Sequence, residues 1–236
     1  MNRPALWRRL LAELVGTGLL VTVVVGSGIM ATRLSQDVGI QLLANSTTTA
    51  MGLAVLILIF GPVSGAHFNP VVSIADWWLG RHHGHGISAR HLAAYIPVQI
   101  VGAILGAILA NAMFGLRAVT WSHHDRTGTP LWLGEIVATA GLVLLIFALA
   151  RSNRAPLAAA AVGAYIGAAY WFTSSTSFAN PAVTIGRAFT DTFAGIAPAS
   201  VVGFIVAQLV GMLAGTALLV ALYPRAVDLV PSERPL

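Results

Sequence analysis

Two asparagine–proline pairs, Asn69-Pro70 and Asn180-Pro181, are the most informative chemical groups in this chain. Asparagine is a favoured helix N-cap and proline fits the first helical position, so each pair predicts a helix start. The amide oxygen of such a cap accepts hydrogen bonds from free backbone N–H groups, which leaves the amide NH2 group as a donor. Two short helices that begin this way inside an apolar chain predict two donors and two positive helix ends at one polar pathway.

The composition around these pairs is that of a membrane protein. Hydrophobic residues make up 57% of the 236 residues and charged residues 9%, whereas a soluble domain needs about a quarter of its residues charged. Six apolar stretches approach or exceed the roughly 20 residues that span a bilayer: 10–32, 40–60, 91–114, 131–150, 156–172 and 198–223. Cysteine is absent, which excludes disulfides and cysteine-ligated metal sites.

The chain also contains an internal repeat. The sequence ELVGT that starts at Glu13 returns as EIVAT at Glu135, and Gln99 returns as Gln208. Glycines follow each glutamine at offsets of three and seven residues, a small-residue pattern that allows close packing of membrane helices. One Asn-Pro pair lies between these markers in each half.

The repeat predicts the topology of a single membrane domain, residues 1–236. We place the first repeat at about 5–114, and the linker and second repeat at about 131–223. Each repeat contains an odd number of spans, so the second is inserted upside down relative to the first. Inverted repeats of this kind place a binding or conduction site near the membrane midplane, at the interface between the halves.

Two segments between spans are predicted to be too irregular to cross the membrane. Residues 61–65 and 173–177 would leave backbone groups unpaired in lipid, so they must be buried in protein or line a wet cavity. The residues after each asparagine, 70–79 and 181–189, then form half-helices that enter from opposite faces. The predicted fold class is therefore all-α and integral to the membrane, with six transmembrane helices and two re-entrant half-helices.

The 13 basic residues are all arginine, and their distribution predicts the orientation. Nine of them fall at one side of the predicted spans, namely Arg3, Arg8, Arg9, Arg81, Arg90, Arg151, Arg154, Arg225 and Arg234. The other side has Arg33, Arg117, Arg126 and Arg187. The positive-inside rule places both termini in the cytoplasm, with the protein in the cell inner (cytoplasmic) membrane. No basic stripe or aromatic-basic module indicates a nucleic-acid partner.

With these motifs the chain resembles the aquaporin, or major intrinsic protein, family over essentially its whole length. The motifs that carry the resemblance, in the family's order, are Glu13, Ser64-Gly65-Ala66-His67-Phe68-Asn69-Pro70, Gln99, Glu135, Asn180-Pro181-Ala182 and Gln208. The resemblance implies a homotetramer with one pore per subunit and no cofactor. The pattern is most similar to bacterial aquaporins related to the nodulin-26-like group and associated with arsenic resistance.

The buried polar residues that support the pore have two interpretations. Glu13 and Glu135 are intramembrane carboxylates, which often belong to proton relays. We favour the alternative that each accepts hydrogen bonds from backbone N–H groups of a re-entrant loop, with Gln99 and Gln208 as further ties. His67, in the first loop, is placed to offer a donor or an acceptor to the pore.

The selectivity constriction that the resemblance implies departs from the commonest family pattern. Three residues after the second asparagine most members have arginine, and this chain has Val183. The change removes five fixed donors and most of the steric bulk. The other wall positions are expected at Thr49 or Met51 in span two, Ala168 or Tyr170 in span five, and Ser177.

A wider and less charged constriction suits small uncharged solutes. We expect polyols such as glycerol, or metalloid hydroxy-acids such as arsenite and methylated arsenicals, with some water. A water-selective aquaporin is the alternative, and an ion-coupled secondary transporter is a weaker one because no coupling site accompanies the two glutamates. No nucleophile–base spacing, phosphate loop or metal spacing indicates an enzyme.

Three further groups carry charge or titratable rings near the predicted pathway. Arg187 lies one turn beyond Val183, and we expect a solvated residue at the pore mouth rather than a displaced gate charge. The clusters His82-His83-Gly84-His85 and His123-His124-Asp125 are interpreted as exposed loops rather than metal or pH-sensing sites.

Overall fold

The computed structural model describes residues 4–81 and 86–224, and within these ranges it contains eight α-helices and no strand. The helices are α1 (Leu6–Leu34), α2 (Val38–Ser64), α3 (Pro70–Gly80), α4 (Ala89–Met113), α5 (Thr129–Arg151), α6 (Ala158–Phe172), α7 (Pro181–Arg187) and α8 (Pro198–Leu222). A single 3-10 turn, Ala155–Leu157, precedes α6. Six helices, all except α3 and α7, are long and apolar enough to cross a membrane once α6 is taken with this turn, which confirms the predicted spans.

Both short helices begin at an Asn-Pro pair, as the sequence predicts. The side chain of Asn69 accepts a hydrogen bond from the backbone N–H of Val71. The side chain of Asn180 accepts from the backbone N–H groups of Ala182 and Val183. A proline in the first turn costs no hydrogen bond there, so it fixes the start of each helix. The second half-helix is shorter than predicted and ends at Arg187.

One segment that we predicted to be irregular is mostly helical. Helix α2 continues through Gly61 and Pro62 to Ser64, and it ends at Gly65, whose φ of 94° is left-handed. A proline removes one intrahelical hydrogen bond, and its position in the last turn confines the disruption to the helix end. The equivalent segment 173–177 contains no helix, as predicted.

The glycines that follow each glutamine bring the long helices into close contact. A Cβ atom added at Gly102 of α4 would collide with the backbone oxygen of Leu14 in α1. A Cβ atom added at Gly211 of α8 would meet the backbone oxygen of Ile136 in α5 in the same way. Helix pairs α1–α4 and α5–α8 therefore pack backbone to backbone. These two equivalent pairs enclose the half-helices α3 and α7.

Candidate functional site

The segments that lead into α3 and α7 share one unusual backbone conformation. Positive φ values occur four, three and one residues before each asparagine. These residues are Gly65 (94°), Ala66 (49°) and Phe68 (51°) in the first segment, and Thr176 (61°), Ser177 (50°) and Ala179 (48°) in the second. A non-glycine residue in this region costs about 1–3 kcal/mol, so surrounding contacts must hold each segment in place.

Glu13 supplies those contacts for the first segment. Its Oε1 atom accepts hydrogen bonds from Ser64 Oγ at 2.6 Å and from the backbone N–H of His67 at 3.0 Å. Its Oε2 atom accepts from the backbone N–H of Phe68 at 2.7 Å and from Gln99 Nε2 at 2.8 Å. The carboxylate therefore acts as an acceptor for a strained loop in this geometry.

Glu135 makes the equivalent contacts in the second half. Its oxygens accept from the backbone N–H groups of Phe178 and Ala179, each at 2.8 Å. Gln208 Nε2 donates to the same carboxylate at 2.6 Å. In both halves, the N–H groups that the glutamate binds belong to the residues one and two positions before the asparagine.

Each glutamine extends this network to the first turn of a half-helix. The glutamine donates to a hydroxyl four residues after the asparagine, and that hydroxyl donates to the asparagine backbone oxygen. The contacts are Gln99 to Ser73 (3.0 Å) and Ser73 to Asn69 (3.1 Å), then Gln208 to Thr184 (2.9 Å) and Thr184 to Asn180 (2.8 Å). The cap is thus held through both its side chain and its backbone.

The two asparagine amides cross between the halves, a feature that the sequence analysis did not anticipate. Asn69 Nδ2 donates to the backbone oxygen of Ala179 at 2.8 Å, and Asn180 Nδ2 donates to that of Phe68 at 2.8 Å. An amide NH2 group has two hydrogens, so one N–H of each asparagine remains for another acceptor. Both residues line the main cavity, which is therefore where the remaining donors are available.

This cavity, called the main cavity because both asparagines line it, has a volume of about 230 Å³ and follows helix α6. Ala158, Val162, Ile166 and Tyr170 line it at one residue per turn of α6. At 1.5 Å per residue this series covers roughly 18 Å, most of the length of α6. Since water occupies roughly 30 Å³ per molecule, the cavity has room for several small molecules.

The cavity has one apolar wall and one polar wall. Aliphatic side chains from α1, α2, α5 and α6 form the apolar wall, for example Leu20, Leu53 and Leu142. The polar wall consists of the two strained segments, residues 65–69 and 177–180, with their backbone groups and asparagine amides. A molecule in the cavity therefore meets hydrocarbon on one side and hydrogen-bonding groups on the other.

The structure places one member of each alternative pair of constriction residues on the cavity wall. Thr49 and Tyr170 both line the cavity, with their hydroxyl oxygens 3.3 Å apart. Met51 is 60% exposed, and Ala168 is also exposed on the outside of the bundle. Residues two apart on a helix point in directions about 200° apart, so only one of each pair can face inward. Met51 and Ala168 are therefore wrong as constriction residues.

Val183 and Ser177 also line the main cavity and are buried. The Oγ atom of Ser177 is buried and has no hydrogen-bond partner in the part of the chain that the structure describes. His67 lines the cavity as well, and its Nδ1 atom lies 3.0 Å from Ser73 Oγ. The wall therefore combines an aliphatic group at Val183 with the imidazole of His67.

The prediction that Arg187 is a solvated mouth residue is wrong. Its relative exposure is 2%, and its Nε atom donates to the backbone oxygen of Ala194. The guanidinium carbon lies 3.4 Å from the centroid of the Phe178 ring, and that of Arg126 lies 5.1 Å from the same centroid. Arg187 also lines the main cavity. The burial results from tertiary contacts with Phe178 and Ala194, which the sequence around position 187 does not indicate.

Of the titratable groups not yet described, Asp76 lines the main cavity, whereas His123 lies away from it. His123 is exposed and forms a 2.9 Å contact with Asp191, and hydrogen bonds from its backbone and side chain hold the pKa of Asp191 below its ordinary value. In residues 4–81 and 86–224 no cluster of histidine and acidic residues could hold a metal. The cluster His82-His83-Gly84-His85 and three arginines used for orientation, Arg3, Arg225 and Arg234, lie outside the described residues.

Several known proteins are similar to this chain over most of its length. The sequence profile of the family described as major intrinsic protein matches residues 1–177. "Aquaglyceroporin AqpS" of Rhizobium meliloti (strain 1021) is 49% identical over 93% of this chain and 91% of the relative. "Glycerol uptake facilitator protein" of Pseudomonas aeruginosa is 31% identical over 85% of this chain and 80% of the relative. The X-ray structure of the aquaglyceroporin from Plasmodium falciparum superposes with a TM-score of 0.72, covering 96% of this chain and 100% of that one, at 20% identity, a likeness of fold.

Proposed function

Because the chain belongs to the major intrinsic protein family, whose aquaglyceroporins are membrane channels and not enzymes, we propose that it conducts small uncharged solutes passively. The solutes are polyols such as glycerol and metalloid hydroxy-acids such as arsenite or methylated arsenicals, together with some water. The glycerol-related names of two relatives support this solute class.

The two-sided wall of the main cavity is the observation that carries the proposal. A polyol or a methylated hydroxy-acid has hydroxyl oxygens and C–H groups, which match the polar and apolar walls respectively. Asn69 and Asn180 each keep one free amide N–H for a solute in this cavity. At Val183 an aliphatic side chain stands where a guanidinium would narrow the route.

We also propose that Glu13 and Glu135 stabilise the loops rather than relay protons. Each carboxylate accepts several hydrogen bonds from its own half of the protein, and neither residue lines the main cavity. A relay needs a chain of exchangeable groups that continues across the membrane. Pro70 and Pro181 fix the helix starts, and Gln99 and Gln208 hold the caps, so these residues support the pathway without contacting the solute.

The distribution of arginines supports a proposed orientation for this multi-pass membrane protein. Both termini lie in the cytoplasm, and the Phe172 end of α6 then lies on the opposite side. We place the protein in the inner membrane of a bacterial cell, as one membrane domain with inverted repeats at about 5–114 and 131–223. Exposed apolar faces on α1 and α2, including Met51, support burial against lipid or other subunits of a homotetramer.

Flux measurements in liposomes with the purified protein test the function directly. Stopped-flow light scattering should show water and glycerol permeability above that of protein-free liposomes, and arsenite entry should follow its gradient. Imposed proton or sodium gradients should change none of these rates, because a passive channel does not couple solute movement to an ion gradient. Concentrative uptake driven by a pH gradient would contradict the channel proposal. Permeability to water without glycerol or arsenite would instead support the water-selective alternative.

A further inference from the structure

A second cavity, of about 320 Å³, meets the main cavity at the Phe172 end of α6. Its lining includes Asn45, His124 and Arg126. Among the residues that the structure describes, Tyr170 and Arg187 alone line both cavities. These two side chains therefore form the boundary that a solute must cross between the cavities. Val183 lines only the main cavity, on the inner side of this boundary.

The repeat indicates which position distinguishes the two ends of the pathway. Three residues after each asparagine the chain has valine in both halves, Val72 and Val183, and both line the main cavity. Seven residues after each asparagine it has Asp76 in the first half and Arg187 in the second, and both again line the cavity. The asymmetry in charge therefore occurs one helical turn beyond the valines.

The side chain of Arg187 is held in place but remains available to a solute. Its guanidinium lies against the Phe178 ring, and Nε donates to Ala194. Its other guanidinium nitrogens have no hydrogen-bond acceptor in residues 4–81 and 86–224, and in those ranges Arg187 forms no ion pair with a carboxylate. A guanidinium has five N–H donors, so donors are left over at the boundary.

Arg126 adds a second positive charge at the same place. It reaches the Phe178 ring from the loop between α4 and α5, and its Nε atom donates to the backbone oxygen of Gly195 at 2.9 Å. It lines the second cavity and, like Arg187, has no carboxylate partner in the described part of the chain. Two guanidiniums without a paired anion produce a positive field across this boundary.

We propose that Arg187, stacked on Phe178 and reinforced by Arg126, is the residue that selects solutes by charge and width. It replaces, one turn farther along the pathway, the guanidinium that is absent at Val183. This inference rests on the proposed channel function. A neutral solute with hydroxyl oxygens accepts hydrogen bonds from the free donors, whereas metal cations and hydronium are repelled.

The first test compares Arg187→Leu with the matched control Arg33→Leu. Arg33 also lies over an aromatic ring, that of Phe114, and donates to its backbone oxygen, but it lines neither cavity. A cation about 6 Å from a guanidinium, at an effective dielectric constant of about 20, is opposed by a factor of about 100. We therefore expect Arg187→Leu to raise potassium or proton leak by up to about a hundredfold, and to raise the ratio of glycerol to water permeability. Arg33→Leu should leave both unchanged.

The absence of cysteine permits a second test that separates charge from size. In the Arg187→Cys variant, the single thiol is modified with methanethiosulfonate reagents of similar size that add an ammonium, a neutral or a sulfonate group. The ammonium adduct should restore cation exclusion, and the sulfonate adduct should increase the leak. Equal leak with all three adducts would overturn the proposal.

The wild-type protein and the Arg187→Lys variant serve as controls that distinguish the possible outcomes. If the wild-type protein conducts neither water nor glycerol, the channel proposal fails. If it conducts and Arg187→Leu matches the wild type in leak and in solute ratio, only the present inference fails. If neither Arg187→Leu nor Arg187→Cys yields folded protein, the test uses Arg187→Lys instead. Because lysine keeps the charge and loses the planar stack, cation exclusion should persist while the glycerol-to-water ratio changes, and an unchanged ratio would overturn the inference.

Discussion

The two re-entrant segments are built on the same framework, yet they present different side chains to the pathway. Their left-handed residues fall at identical offsets from Asn69 and Asn180, and one glutamate binds each segment in the same register. The segments differ seven residues after the asparagine, where the first has Asp76 and the second has Arg187. The shared part holds the backbone, and the part that differs determines the charge at each end of the pathway.

A second difference occurs two residues before each asparagine. His67 packs edge-on against Tyr95 with ring centroids 5.5 Å apart, and Phe178 packs edge-on against Phe204 with centroids 5.1 Å apart. The packing is the same, but the first ring has polar nitrogens and the second provides a platform for Arg187. A repeat can therefore preserve a shape through duplication while single substitutions make its two ends chemically distinct.

The largest expected effect comes from removing the framework that the segments share. Glu13→Ala and Glu135→Ala each leave several buried donors unpaired, at about 1–3 kcal/mol for each donor. We expect both variants to lose most of their folded protein, which size-exclusion chromatography and thermal melting in detergent would detect. The Gln variants, which keep one acceptor oxygen, should be less affected.

The same two variants, Glu13→Ala and Glu135→Ala, test whether the two segments are held in the same way. If Glu135→Ala is tolerated while Glu13→Ala is not, the second segment is held by other contacts and the two frameworks are not equivalent.

An intermediate effect is expected at Val183, where both halves have valine and the arginine usual in the family is absent. Val183→Arg would place a second guanidinium in the main cavity one turn from Arg187. Solutes wider than water would lose space, so glycerol and arsenite permeability should fall by about tenfold or more relative to water, a difference of about 1.4 kcal/mol. Liposomes with matched amounts of folded protein provide the measurement.

Val183→Leu is the control, since it adds bulk without charge and should lower the ratio much less. An unchanged ratio in Val183→Arg would show that the valine is away from the narrowest part, and would leave Tyr170 and Arg187 as the boundary.

The smallest expected effect concerns a surface contact that the second segment has and the first lacks. Asp191 follows Asn180 by eleven residues, and Gly80 stands at the equivalent position after Asn69. Hydrogen bonds from His123 lower the pKa of Asp191, so its contribution to stability is present above the unfolded pKa of about 3.9 and is lost as the pH falls through the lower folded value. The contact is exposed to solvent, so Asp191→Asn should cost less than about 1 kcal/mol at neutral pH.

Melting temperatures of the wild type and of Asp191→Asn, taken between pH 3 and 7, measure this contribution. The difference should be at most about 2–4 °C near neutral pH and should shrink as the pH falls below about 3.9. A constant difference across this range would contradict the assignment to the carboxylate.

The sequence was sufficient to predict the features that repeat or follow local rules. Both Asn-Pro pairs of this chain mark helix starts, and the matched sequences at Glu13 and Glu135 identified the halves. Helix α2 was harder to predict, because Gly61-Pro62 disfavours a helix locally but lies close enough to the helix end to be accommodated. Local pattern also left the choice between Thr49 and Met51 undecided. Their alignment depends on the length of the loop that follows, and a loop has no periodic pattern from which that alignment can be predicted.

Features that depend on tertiary contacts between side chains could not be predicted. Arg187 is buried because Phe178 and Ala194 surround it, and no pattern near position 187 reveals those neighbours. Arg126 likewise reaches the pathway from a connecting loop, where sequence alone indicates a solvated residue. The charged groups near the pathway were therefore the least predictable part of the site.

The crossed amides also have a consequence for how the molecule assembles. Asn69 needs an acceptor at Ala179, and Asn180 needs one at Phe68, so neither half can complete its own centre. Because the first half is synthesised before Ala179, the amide of Asn69 lacks this acceptor until the second half is inserted. The middle of the pathway therefore cannot close until the second half is inserted.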